Sequence, residues 1–99
     1  MIARHWTGLA KAEHADQYVE HLQRDTFPSI RRLAGFKAAA ILRRPVAEGV
    51  EFLIVTNWES LDAIRAFAGD EVEAAVVPEA VQRMMVRYDR TVRHFEIVD

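Results

Sequence analysis

The groups able to move a proton near neutral pH are four imidazoles, His5, His14, His21 and His94, since histidine is the side chain whose ordinary charge change falls there. His5 and His94 lie in strand-like runs at the two ends of the chain, so they are the candidate bases. His14 and His21 stand seven apart on an expected helix, too far to share a metal, and its solvent face is their expected home. With no cysteine and no H-x-x-x-H spacing, no metal centre is expected. Arg4, Arg43 and Asn57 could donate hydrogen bonds to a developing oxyanion, and Trp6, Trp58 and Phe67 could wall a flat ring. Each has a plainer role open to it. Trp58 and Phe67 suit core packing, and the two histidines suit hydrogen bonds at a seam between strands. Strand register decides which of them meet, because a slip of one residue reverses every face.

The run VEFLIVTNW, residues 50–58, is apolar on both parities: Phe52, Ile54, Thr56 and Trp58 against Leu53, Val55 and Asn57. A strand covered on one side only alternates apolar with polar, so both faces of this one are expected in dry surroundings. Ser60 is a good N-cap for the helix that follows, with Leu61, Ile64 and Phe67 or Ala68 as its buried stripe and Gly69 as its stop. Upstream, Ile2 to Gly8 reads as the first strand. A helix from about Lys11 buries Ala15, Tyr18, Val19 and Leu22, ends or kinks near Thr26 ahead of Pro28, and resumes through Ser29 to Leu33. Phe36 to Arg44 is the second strand, with Phe36, Ala38, Ala40 and Leu42 on one parity and Ala39 and Ile41 on the other. Pro45 to Gly49 turns the chain back. Beyond Gly69, Asp70 to Ala75 is expected to add a helical turn. Pro78 starts a short helix carrying Ala80, Val81 and Met84, and Thr91 to Val98 is the last strand.

The order is β-α-β-β-α-β, an α+β ferredoxin-like arrangement: a four-stranded antiparallel sheet with both helices on one face. Ninety-nine residues suit one domain, 1–99. Two helices cover one face, and an apolar face of several hundred Å² left bare marks an interface. The expected solution is a homodimer through the helix-free face, its two sheets packed about a two-fold axis as an α/β barrel. With 51% hydrophobic and 28% charged residues and a net charge of -2, nothing points to disorder, nucleic acid or an anionic membrane. The missing cysteines and missing apolar span fit a cytoplasmic protein.

The opening MIARHW, the block EFLIVTNWESLDAIRAFAG, the segment DEVEAAVVPEA and the ending VRHFEIV together resemble the antibiotic biosynthesis monooxygenase domain of the dimeric α/β-barrel superfamily. The resemblance implies a pocket for a small aromatic molecule between sheet and helices of each subunit, and in one branch an oxygenase that needs no cofactor. There an electron-rich phenol or quinol supplies the electrons. His5 and His94 are then the catalytic bases, with Arg4, Trp6, Arg43, Asn57, Trp58 and Phe67 binding the substrate. The haem-degrading branch uses an Asn on the first strand, a Trp late in the second helix and a His about ten residues beyond, and those places here hold Trp6, Phe67 and Val77. The resemblance therefore favours cofactor-free oxidation, with a non-catalytic ligand-binding or purely structural homodimer as the alternative.

Overall fold

The computed structural model describes residues 1–99. Strand β1 (Ile2–Ala10) is the spine of an open antiparallel sheet and is followed by a 3₁₀ turn (Ala12–His14) and helix α1 (Ala15–His21). A π-helical stretch (Leu22–Thr26) joins α1 to α2 (Phe27–Ile30). The hairpin β2 (Phe36–Val46) and β3 (Gly49–Trp58) comes next, then α3 (Leu61–Ala68), α4 (Glu79–Met84), β4 (Met85–Tyr88) and β5 (Arg93–Glu96). In space the strands run β2-β3-β1, and the far edge of β1 is shared by β4, opposite Gly8–Ala10, and β5, opposite Ile2–His5. The ferredoxin-like order is the expected one, with its last strand in two pieces. No helix is long and apolar enough to cross a membrane.

Register sorts the side chains. Ile2 pairs with Trp58, Arg4 with Thr56, Trp6 with Ile54 and Gly8 with Phe52, and partners in a ladder share a face. This is the helix-covered face. Against it Tyr18, Leu22, Phe27, Ile30, Ile64, Val81 and Met84 close the core, with Phe52 and Trp58 wholly buried. The opposite face carries His5 and Thr7 of β1, Leu53, Val55 and Asn57 of β3, and Phe95 of β5. No helix lies on it, and Leu42 and Phe95 stand 48% and 46% exposed.

The irregularity expected ahead of Pro28 is a π-helical stretch ending at Thr26 rather than a break, and several other expectations change. The Phe27 amide bonds back to the Leu22 carbonyl, five residues away, and that widened turn carries the chain into the proline, while the Ser29 hydroxyl donates to the Asp25 carbonyl at 3.0 Å. In β2 a bulge between Phe36 and Ala38 inserts Lys37, so Phe36 shares its face with Ala39 and Ile41 rather than with Ala38. Residues 70–77 form no helical turn; an isolated bridge ties Ala74 to Thr91, and the Ala75 amide donates to Arg90 O. The short helix after Pro78 hands its chain directly to β4, a strand absent from the sequence reading. The Ser60 cap is as read, its hydroxyl accepting from the Ala63 amide at 3.2 Å.

Candidate functional site

A cavity of about 70 Å³ lies between the covered sheet face and the helices, lined mainly by apolar side chains. Arg4, Trp6, Ile54 and Thr56 come from β1 and β3, and Tyr18, Leu22, Phe27 and Ile30 from the first helical run. Phe67 of α3 completes the wall with Val76 and Val92. Past Thr26, Ile30, Phe67 and Val76 the cavity borders an open groove of about 390 Å³, whose rim includes His21, Asp25, Ser29 and Pro78. The groove itself has the size at which clefts take small organic ligands.

Arg4 dominates the electrostatics. Its residue is only 4% exposed, yet none of the chain's ion pairs includes it. The guanidinium donates to the carbonyls of Val72 at 2.5 Å and Ala74 at 2.9 Å and meets Nε2 of His94 at 3.0 Å. It also lies 5.6 Å from the centre of the Phe67 ring, within range of a cation–π contact. Burial lowers its pKa from the usual guanidinium range to about 10, the cost of holding a cation where no carboxylate answers it. A guanidinium has no acceptor to offer, so Nε2 of His94 must accept and that imidazole is neutral. Burial first, then the Arg4 charge, hold His94 below the usual histidine value, with Glu73 opposing.

The aromatic walls are fixed in turn. The Trp6 indole donates to Asp89 O at 2.8 Å and lies over Gly8, where an added Cβ would come within 2.4 Å of the ring. Only glycine leaves room for it there. Tyr18 packs edge-on to Phe52 at 4.9 Å and tilted to Trp6 at 6.1 Å, and burial raises its phenol well above the usual range. Behind the cavity, Phe67 stacks on Trp58 at 6.0 Å, whose indole donates to the Thr56 hydroxyl at 2.8 Å.

Of the residues singled out from the sequence, Arg4, Trp6 and Phe67 line the cavity, and His94 stands immediately behind Arg4. Trp58 is core, supporting the wall without reaching the opening. Arg43 is exposed and pairs with Asp16 at 2.8 Å. His5 and Asn57 are on the helix-free face, so the structure does not bring the two strand imidazoles together. The pairing of Arg4 with His94 and of His5 with Arg93 sends them to opposite sides of the sheet. His5 instead packs on Phe95 at 5.0 Å, and the Asn57 Oδ1 is buried there without a partner. Sequence reasoning missed Tyr18 and Thr56, which it filed as core and strand, and the carbonyls of Val72 and Ala74, which lie in a stretch expected to be helical. His21 is not on a solvent face: its side chain is 17% exposed and borders the groove.

Over residues 1–84 the sequence matches the family model for antibiotic biosynthesis monooxygenases. The chain belongs to that family. None of the curated proteins matches it. Among solved structures, a candidate antibiotic biosynthesis monooxygenase from Deinococcus radiodurans is similar at TM-score 0.71 and 18% identity, over 100% of this chain and 94% of that one. MhuD, a haem-degrader of Mycobacterium tuberculosis with two haems in its active site, is similar at TM-score 0.69 and 19% identity, over 100% and 97%. A monooxygenase of Streptomyces coelicolor from the gene ActVA-Orf6, in complex with nanaomycin D, reaches TM-score 0.70 at 19% identity, over 99% and 88%. At these identities the family's fold is what the neighbours share with this chain.

Proposed function

We propose that this chain is a cofactor-independent monooxygenase of a small, electron-rich phenol or hydroquinone. One observation carries the reading: a buried guanidinium with no carboxylate partner forms part of an aromatic-walled cavity. A buried charge normally has its counter-charge beside it, and here a phenolate oxygen would supply it. Arg4 then favours ionisation of the ring hydroxyl, and Trp6, Tyr18 and Phe67 hold the ring and keep water from the reactive carbanion-like form. For a hydroquinone the balance is closed. Oxygen bonds to a ring carbon bearing hydrogen, the O–O bond breaks, one oxygen stays as a new hydroxyl on the quinone, and the other leaves as water. The substrate is the sole reductant. Trp6, Arg4 and Phe67 are binding residues in this scheme, and His94 positions Arg4 rather than touching substrate.

Haem, which the mycobacterial neighbour binds, finds no axial ligand in the inner cavity, and the imidazole of His21 lies out on the groove. An axial ligand has to be an imidazole, thiolate, thioether or tyrosinate. The cavity walls hold no imidazole, thiolate or thioether, the His94 Nε2 is engaged by Arg4, and burial keeps Tyr18 protonated.

The same proposal includes a homodimer of single-domain chains, working in the cytoplasm and joined through the helix-free sheet face. The exposed Leu42 and Phe95, the half-buried Leu53 and Val55, and the unpartnered Asn57 Oδ1 support it, because an orphaned buried acceptor is costly unless a second chain supplies a donor. A second reading, a binding module for aromatic anions without turnover, is favoured by the absence of a proton acceptor in the inner cavity. Oxygen uptake with a panel of phenols and hydroquinones decides between them. Uptake with formation of a hydroxyquinone is expected, and a panel that consumes no oxygen ends the oxidation reading.

A further inference from the structure

We infer that His21, oriented by Asp25, is the proton acceptor of this site, and that the substrate carries oxygen at both ends of its ring system. The inference rests on the oxidation reading above. Arg4 marks one end of the space, deep in the cavity, and the groove's rim marks the other. Among all residues lining cavity and groove, His21 is the only imidazole, and Asp25 and His21 are the only bases. The Nδ1 atom of His21 lies 3.4 Å from the largely exposed Asp25 carboxylate, close enough for that charge to favour a proton on Nδ1 and leave Nε2 as the acceptor. The pair spans the π-helical stretch: His21 ends α1, and the widened turn that follows carries Asp25 and the cavity residue Thr26. The segment between cavity and groove therefore supplies residues to both. A ring whose inner oxygen meets Arg4 extends past Phe67 and Val76 toward His21. There the outer O–H bond breaks, the proton passes to Nε2, and the electron pair remains on the ring oxygen, raising the electron density that oxygen attacks.

The charges around His21 come from its own helical run: Asp25, Glu20 and Arg24, the last two paired with each other at 2.7 Å. The residues facing it across the grooves, Phe67, Val76, Pro78 and Met84, carry none. The test compares oxygen uptake with 1,4-dihydroxynaphthalene by wild type, His21→Gln, Asp25→Asn and His21→Ala, each first shown by circular dichroism to be folded. His21→Gln is expected to lose about a hundredfold in kcat/KM, within the range for general base catalysis, together with the fall in rate on the acid side of the wild-type pH profile. Added imidazole is expected to restore His21→Ala. Asp25→Asn is expected to lose less and to keep the acid limb. Uptake by His21→Gln at the wild-type rate, with its acid limb intact, overturns the inference and leaves the oxidation reading standing. Absence of uptake by the wild type overturns both.

Discussion

Replacing Arg4 with methionine keeps the length of the side chain and removes its charge, and the consequence for ligand binding can be worked from the structure. Burial holds the guanidinium at about 10, well below its usual value, a gap worth roughly 3 kcal/mol. The folded chain carries this penalty in full below about pH 10 and sheds it as pH rises toward the unfolded value. An anion beside Arg4 recovers part of it. Half is worth about tenfold in Kd, and all of it about a hundredfold. The matched ligands are 4-nitrophenolate and its methyl ether, 4-nitroanisole, titrated at a pH where the phenol is ionised and read by quenching of Trp6 fluorescence. Arg4→Met should weaken the phenolate by about ten- to a hundredfold and leave the ether unchanged. Arg4→Lys, which keeps a charge but not the fork of donors, should fall between. Methionine leaves Val72 O, Ala74 O and the His94 Nε2 without a donor, so near-ultraviolet circular dichroism must show each variant folded. Equal losses for both ligands, or no loss for the phenolate, refute the idea that Arg4 awaits an anion.

Two further outcomes are expected. If the proposed dimer forms, Leu42→Asp or Phe95→Asp, on the helix-free face, should convert it to monomer in light scattering, whereas Leu61→Asp, exposed on α3, should not; a wild type that scatters as a monomer removes the interface. Because the folded protein holds His94 below its usual value, stability should be complete above about pH 6.5 and decline as pH falls. His94→Asn, which still offers Arg4 an acceptor, should flatten that decline, as followed by Tm against pH.

The arrangement of strands and helices was legible because 3.6-residue spacing reports which side of a helix is apolar, clearly so in α1 and α3, and because the unbroken apolar run of β3 marks a strand. Arg4, Trp6 and Phe67 were legible as residue types. What could not be read was register. Residues 5 and 94 differ in parity, but whether they share a face depends on the pairing offset between β1 and β5, which single-chain patterning does not encode. The Lys37 bulge has the same effect in β2, since one inserted residue turns an even-spaced apolar set into two sets on opposite faces. Pro28 gave a correct warning of irregularity and no hint of its form, because a break and a widened turn both relieve its ring. The strand β4 was hidden by brevity: MVRY is too short to show alternation against the helix that precedes it. His21 was placed in solvent by the helix pattern alone, and only the path of residues 76–78 past the π turn brings a wall up beside it.

The outermost strand, β2, presents one whole row of amides and carbonyls to no other strand of the chain. Rows of that kind recruit neighbours and seed fibrils. This one is guarded at its ends: Lys37 sits in the bulge at one, and Arg43, Arg44 and Pro45 occupy the other. The unguarded middle, AAAIL over residues 38–42, is neutral and free of proline. Removing charge at Lys37 or Arg43 would therefore threaten the shelf life of concentrated samples before it touched folding or the cavity.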